Sequence, residues 1–265
     1  MPVDLASDSV GRLSESLAAA APDALVNCVG ATGGDPVRLA EVNARGPAVL
    51  CAPLLRARPT ARLVHLGSAA EYGPQTDRVP ASESAATRPV TVYGATKLAG
   101  TVTVSDSGLD ALVLRVGNPV GAGAPASGLP GRVCALLRKT GTGPDVVLRL
   151  GDLSAYRDFV DVRDVARAVE RAVTAPGPLP PVLNVGGGEA VLGRDLVHRL
   201  ADTAGFRGRI EEQGTGSARS EHISWQCSDI SAAAEVLGWQ PTYSLARSLE
   251  ALWSAGAHLE GDRPA

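Results

Sequence analysis

The segment Tyr93-Gly-Ala-Thr-Lys97 sets a phenol and an ammonium four residues apart. On a helix, positions i and i+4 share a face, so the two heads would point the same way. Hydride chemistry at a carbonyl needs a proton donor for the developing alkoxide, and a phenol beside an ammonium suits that task. A phenol ordinarily titrates near ~10, and a nearby positive charge favours its anion and pulls that value toward neutrality. Lysine is a compact point charge that arginine does not replace equally. Lys97 and Lys139 are the only lysines of the chain, against 23 arginines (25 basic residues less two). With four tyrosines and two lysines in 265 residues, chance Tyr-x-x-x-Lys matches number about 0.03. A surface helix pair is the competing reading.

Ser68 stands in Leu66-Gly-Ser-Ala-Ala-Glu-Tyr-Gly73, at the end of an apolar run. In open α/β sheets the carboxyl ends of strands face the ligand crevice, where a hydroxyl can hold a substrate oxygen. Taken alone, Ser68 reads as a turn residue.

These groups need elements to position them. The apolar run 24–30, closed by glycine, reads as a buried parallel strand. Asp35 and Pro36 read as the N-cap and first residue of a helix running toward Arg58. A strand follows at 61–67, and a loop rich in Pro, Ser and Thr at 74–90 leads to a helix at 92–104 that carries Tyr93 and Lys97. A third buried strand covers 110–116, then a Gly/Pro/Ala loop 117–131, a helix near 131–139 and a strand at 146–150. The segment 164–174 puts Val165, Ala168, Val169, Ala172 and Val173 on one helical face. A strand at 182–185 precedes a helix-rich remainder ending in a helix over 245–257. Such alternation predicts a parallel sheet with helices on both faces.

Bulk properties exclude several classes. Net charge is −3, and the arginines are spread among acids, which argues against a nucleic-acid surface. No apolar run approaches the ~18 residues of a membrane span, and the acidic N-terminal stretch lacks the basic-then-apolar pattern of a signal peptide. The profile predicts a cytoplasmic protein. Cys28, Cys51, Cys134 and Cys227 form no Cys-x-x-Cys, and His65, His198, His222 and His258 form no His-x-x-x-His. Free thiols and no metal site are expected.

Ser68 followed 25 positions later by Tyr93-x-x-x-Lys97 resembles the catalytic trio of short-chain dehydrogenases/reductases. The words GSAAEYG (67–73), VYGATK (92–97), LRVGNPVGAG (114–123), YRDFVDVRDVARA (156–168), LNVGGG (183–188) and DISAAAEVLGWQP (229–241) are similar to the extended branch, the NAD-dependent epimerase/dehydratase family, over about residues 20–255. The resemblance implies an α/β fold, an incomplete Rossmann-like parallel sheet with a small C-terminal α/β substrate-binding subdomain. Residues 1–117 and 146–192 would form the dinucleotide-binding part, and 118–145 with 193–265 the substrate-binding part. It implies NAD or NADP as cofactor and a nucleotide-sugar-type substrate, with no nucleic-acid or membrane partner, and it allows a homodimer. Tyr93 would be the proton donor, Lys97 would bind the ribose and tune the phenol, and Ser68 would hold the substrate oxygen. Val29, Gly30 and Ala31 would pass beside the adenosine-side ribose of the cofactor. Asn118 would contact the substrate diphosphate, and Arg157 would pair with a phosphate or ribose; an ion pair of Arg157 with Asp158 or Asp161 is the alternative. Asn43 resembles the family's helix asparagine, or else bonds backbone.

Two departures matter. Ala69 and Ala70 stand where sugar dehydratases present an acid pair, which disfavours a dehydratase; Glu71 is expected to point elsewhere. That leaves reduction of an NDP-4-keto-deoxysugar, toward which SAAEYG leans, or an NDP-sugar epimerase. The second departure is the strand–GxxGxxG–helix start. Gly30-Ala-Thr-Gly33-Gly34 imitates it, but the third glycine falls at Pro36, and Gly30 lies 63 residues before Tyr93. This stretch reads as the family's fourth strand, with 3–5 near the end of the third. The reading frame is then expected to begin about 50–60 residues earlier, with two β–α units upstream, including the acid that selects NAD over NADP. A catalytically silent truncated relative, serving as a binding partner, is the alternative from another class.

Overall fold

Helices and strands alternate from Val10 onward. The computed structural model describes residues 4, 5, 7, 9–214 and 223–261, with side chains in the last helix described to residue 255. Helix α1 (Val10–Ala20) leads into β1 (Ala24–Asn27). This strand is shorter than the 24–30 run because the Asn27 side chain turns the chain, its Oδ1 accepting the Val29 N–H at 3.0 Å. Asp35 caps α2 (Pro36–Ala40) by accepting the Arg38 N–H at 2.9 Å, with Pro36 in the first turn as expected. The helical run toward Arg58 is continuous but not uniform, since a π-helical turn (Glu41–Arg45) separates α2 from α3 (Gly46–Ala57). Pro47 has no N–H for the Asn43 carbonyl, and the Gly46 N–H reaches back to Glu41.

Strand β2 (Arg62–Ser68) runs into a 3-10 turn (Ala69–Glu71), and α4 (Val92–Ser105) starts on Thr91, whose hydroxyl accepts the Gly94 N–H. Strand β3 (Asp110–Val116) has the expected bounds. The segment read as a loop contains β4 (Asn118–Val120) before α5 (Leu129–Thr140). Then come β5 (Val147–Leu150), β6 (Tyr156–Asp161), α6 (Val162–Thr174) and β7 (Val182–Val185). The rest comprises β8 (Ala190–Leu192), α7 (Gly193–Thr203), β9 (Arg209–Glu212), α8 (Ser231–Leu237) and α9 (Leu245–Gly261). Of the expected strand at 3–5, Val3 lies outside the described residues. Leu5 stands in a turn instead, its carbonyl accepting a hydrogen bond from the Arg45 guanidinium.

The central sheet is parallel in the order β1-β2-β3-β7, with β1 at one edge. Side chains of successive residues alternate between its faces. One face sends Leu63 and Val113 into a core with Leu13, Leu17, Leu50, Leu54 and Val104 of α1, α3 and α4. The other sends Val64, Leu112, Leu114 and Val116 against Val165 and Ala168 of α6 and against Trp239. A third core joins Val133 and Leu137 of α5, Leu148 and Leu150 of β5, Leu196 and Leu200 of α7, and Leu249 of α9.

The residues expected to divide at 117/118, 145/146 and 192/193 meet these cores in a different distribution. Strand β5 pairs with β9 and packs in the third core, whereas Ala233, Leu237 and Trp239 pack under the central sheet. Buried apolar spacing says that a strand has a core, not which core it has. Strand β6 bridges the two sides, pairing with β4 in parallel and β8 antiparallel. Among the described residues, no helix is long and apolar enough to cross a membrane, and no three His, Cys, Asp or Glu side chains gather as a metal site needs.

Candidate active site

Ser68 ends β2 and caps the turn that follows. Its hydroxyl accepts the Ala70 N–H at 3.2 Å, and its own N–H donates to Glu71 Oε1 at 2.8 Å. A Cβ on Gly94 would lie 2.6 Å from the Ala70 carbonyl oxygen, so glycine alone lets the first turn of α4 rest there. That seat sets half-buried Tyr93 beside the turn that Ser68 caps. One helical turn on, Lys97 is buried and its Nζ donates to the Leu66 carbonyl at 2.6 Å. Burial pulls the Lys97 pKa down, and the Glu71 charge opposes it.

The end of β1 reaches the same corner. A Cβ on Gly30 would stand 3.8 Å from Lys97 Nζ and 3.7 Å from Asn43 Oδ1. Asn43 is buried in the π-helical turn and braces the loop rather than facing solvent. Its Oδ1 accepts the Ala31 N–H at 2.8 Å, and its Nδ2 donates to Ala31 O at 2.9 Å and to Thr96 Oγ1 at 3.2 Å. Lys97, the Ser68 end of β2, Gly30 and Ala31 therefore lie at one corner, with Tyr93 one turn before Lys97 on α4 and Val29 exposed at the loop. The glycine-rich stretch 30–34 is no anion cradle. It opens a five-residue helix whose first N–H groups already face the Asp35 carboxylate, which would repel a phosphate.

Asn118 and Arg157 come together on neighbouring strands. Asn118 pairs with Phe159, two residues beyond Arg157, so all three side chains share one face of the β4–β6 pair. Asn118 Nδ2 donates to the Asp158 carbonyl at 3.1 Å. Arg157 donates to Tyr156 O at 2.7 Å and Ile223 O at 2.8 Å, and burial lowers its pKa to about 10. Neither neighbouring acid answers it. Asp158 accepts the Gly187 and Ser228 N–H groups, while Asp161 binds Arg163 and Ser248. A cleft of about 410 Å³ lined by Asp161, Glu189, Arg199, Thr242 and Tyr243 contains none of the expected site residues.

Four buried polar residues, Glu71, Arg115, His65 and Asp158, have surroundings that the sequence reading did not supply. Glu71 does point away from the crevice: its carboxylate takes Ser68 N–H, Thr101 Oγ1 at 2.9 Å and Arg115 Nε at 2.8 Å. Arg115 in turn donates to Tyr72 Oη at 3.1 Å. The signal for this network was Arg115 itself, a charge inside an apolar strand. His65 is fully buried, its two ring nitrogens have no partner among the described residues, and burial, with Lys97 adding, pushes its pKa down to about 3. Asp158 is buried where side-chain-less Gly186 packs against its carboxylate, and burial raises its pKa to about 6 against the pull of backbone N–H groups.

Comparison with known proteins follows the same lines. The sequence profile of the NAD dependent epimerase/dehydratase family matches residues 2–186. The chain is 39% identical over 200 residues to dTDP-6-deoxy-L-talose 4-dehydrogenase (NAD(P)(+)) of Kitasatospora kifunensis, covering 74% of this chain and 63% of that relative. This match thus spans less than two thirds of the relative's length. GDP-6-deoxy-D-mannose reductase of Pseudomonas aeruginosa is 27% identical over 261 residues, covering 94% of this chain and 84% of that protein. In fold, the chain is similar to the structure of RMD from Pseudomonas aeruginosa complexed with NADPH, with a TM-score of 0.83, 24% identity and coverage of 96% and 87%.

Proposed function

The chain belongs to the NAD dependent epimerase/dehydratase family, and from that premise we propose that it is an NAD(P)-dependent oxidoreductase reducing an NDP-4-keto-deoxysugar, with Tyr93 as general acid. The observation that carries this reading is the seating of the Tyr93–Lys97 face of α4 on the Ser68 turn, with Lys97 Nζ held to Leu66 O at 2.6 Å. Both curated relatives named above act, by their names, at a 6-deoxysugar joined to a nucleotide.

The residues present fit the nicotinamide-ribose end of a dinucleotide. Gly30 has no side chain to fill the space in front of Lys97, and Asn43 pins the loop at Ala31. Val29, Gly30, Ala31, Tyr93 and Lys97 would hold the cofactor, which when bound supplies a hydride to the carbonyl carbon. Ser68 already accepts the Ala70 N–H, so its own hydrogen remains to donate to the substrate oxygen. Tyr93 gives its proton to that oxygen as charge develops, and the Lys97 ammonium stabilises the phenolate left behind. Asn118 and Arg157 would hold the diphosphate, for which a guanidinium fork is suited. Elimination of water is disfavoured by the residues that follow Ser68. Ala69 and Ala70 are inert, and Glu71 is committed to Ser68, Thr101 and Arg115.

Mixing the protein with NADH or NADPH and a dTDP- or GDP-linked 4-keto-6-deoxysugar should oxidise the cofactor and yield the 4-hydroxy sugar. Interconversion of C4 epimers with no net cofactor oxidation would assign an epimerase. Neither reaction, with retained nucleotide binding, would assign a silent binding relative.

A further inference from the structure

Glu71 closes the 3-10 turn after Ser68 and is fully buried. One of its oxygens, Oε1, accepts both the Ser68 N–H at 2.8 Å and the Thr101 hydroxyl at 2.9 Å. Thr101 completes a series with Tyr93 and Lys97, spaced by four along α4 and hence on one face. A single carboxylate oxygen therefore joins the strand end that carries Ser68 to the helix face that carries the phenol and the ammonium.

We propose that Glu71 is a positioning residue of this site, locking Ser68 to the Tyr93–Lys97 face and acting as the counter-anion of the Lys97 ammonium. A buried ammonium is costly unless an opposite charge faces it. Among the described residues, Glu71 is the acid whose charge favours the Lys97 ammonium. From β2 comes His65, which burial keeps neutral; from β3 comes Arg115, a competitor for the same carboxylate; from α4 itself comes Tyr93. The π-helical turn contributes uncharged Asn43, and its Glu41 and Arg45 are exposed. Glu71 contacts Arg115 directly at 2.8 Å. Its Oε1 sits on the Ser68 N–H and on Thr101, one helical turn from Lys97 and two residues along β2 from the Leu66 carbonyl that holds Lys97 Nζ, so its charge also acts on that ammonium.

This inference rests on the proposed function only where turnover is measured. With Lys97 and Lys139 as the only lysines, the intact chain grown on isotopically labelled lysine gives two side-chain signals, and Lys97 can be titrated without substrate. Glu71→Gln keeps the shape and removes the charge. The Lys97 midpoint should fall by about one pH unit or more. Arg115→Gln frees the carboxylate from its rival and should move the midpoint the other way. The double variant strands neither charge and should follow Glu71→Gln, which keeps the test open if a single variant fails to fold. In an active enzyme, the alkaline limb of kcat should shift with the same signs while KM for the nucleotide sugar holds. Lys97 midpoints equal to wild type in the variants that fold, or moving in one direction for both single variants, would overturn the proposal. If the wild type reduces no nucleotide sugar while Lys97 still shifts as stated, the functional reading fails and the Glu71–Lys97 link stands.

Discussion

Two buried polar regions flank the same corner of the sheet, and they handle charge differently. Beneath α4, charge meets charge: Glu71 faces Arg115 directly and Lys97 at longer range, and the Arg115 pKa ends raised, its burial outweighed by Glu71 and Tyr72. At Arg157 and Asp158 on β6, the hydrogen-bond partners found are backbone dipoles. Arg157 is held by two carbonyls and Asp158 by two backbone N–H groups, so burial prevails and draws both toward their neutral forms. The first arrangement holds its charges against one another. The second leaves a cation without a counter-ion from either neighbouring acid, which is what an incoming diphosphate would supply.

The largest expected effect tests the α4 side. Tyr93→Phe keeps the ring and removes the proton donor, so kcat for the nucleotide keto-sugar should drop about 10²–10⁴-fold with KM little changed. Steady-state kinetics at saturating NAD(P)H would show it. Retained turnover would reduce Tyr93 to a packing residue and leave Lys97 as a buried charge with no chemical role.

The second effect tests the β4–β6 side and should be read in KM. Arg157→Lys keeps a positive charge but loses the planar fork. A charge-assisted hydrogen bond contributes about 1.5–3 kcal/mol, so KM for the nucleotide sugar should rise about 10–100-fold. Reduction of a simple ketone lacking a diphosphate should be unaffected. Equal loss on both substrates would mean that Arg157 serves the fold, through Ile223 and Tyr156, and that the contrast between the two regions is not functional.

What could be read in the sequence was whatever local spacing dictates. Tyr93 and Lys97 share a face because they are four apart on a helix, Asp35-Pro36 begins a helix because of its cap chemistry, and 110–116 and 182–185 are strands because they are short, mainly apolar runs. Partners distant in the chain were not legible. Arg115 announces a buried charge, but nothing local selects Glu71, 44 residues earlier, and nothing near Arg157 selects Ile223, 66 residues later. The short strands β4, β8 and β9 have three or four residues each, too few for alternation to register. The π-helical turn was equally hidden, since it follows from a missing N–H at Pro47 rather than from any periodicity.

The smallest effect sharpens the comparison most, because the two regions should respond to acid with opposite signs. His65, beneath α4, has its pKa lowered from 6.5 to about 3, so between those values the unfolded chain binds more protons than the folded one. Its contribution to stability is complete above pH 6.5 and is lost as pH falls. Asp158, on β6, is raised from 3.8 to about 6, so there the folded state binds more protons. Its contribution is complete below pH 3.8 and is lost as pH rises through 6. Each slope is at most about 1.4 kcal/mol per pH unit, the value of one proton. Acids with lowered values, such as Asp161 and Glu212, begin to act only below their ordinary values of 3.8 and 4.5. In the window from pH 4.5 to 6 the two buried groups should therefore nearly cancel, giving the wild type a flat stability profile in urea denaturation. His65→Leu should unmask Asp158, so that stability rises as pH falls. Asp158→Asn should unmask His65, so that stability falls with pH, whatever each substitution does to stability at neutral pH. Slopes of the same sign in the two variants would break the contrast, because one of the two groups would then have to stay accessible to solvent and titrate near its ordinary value.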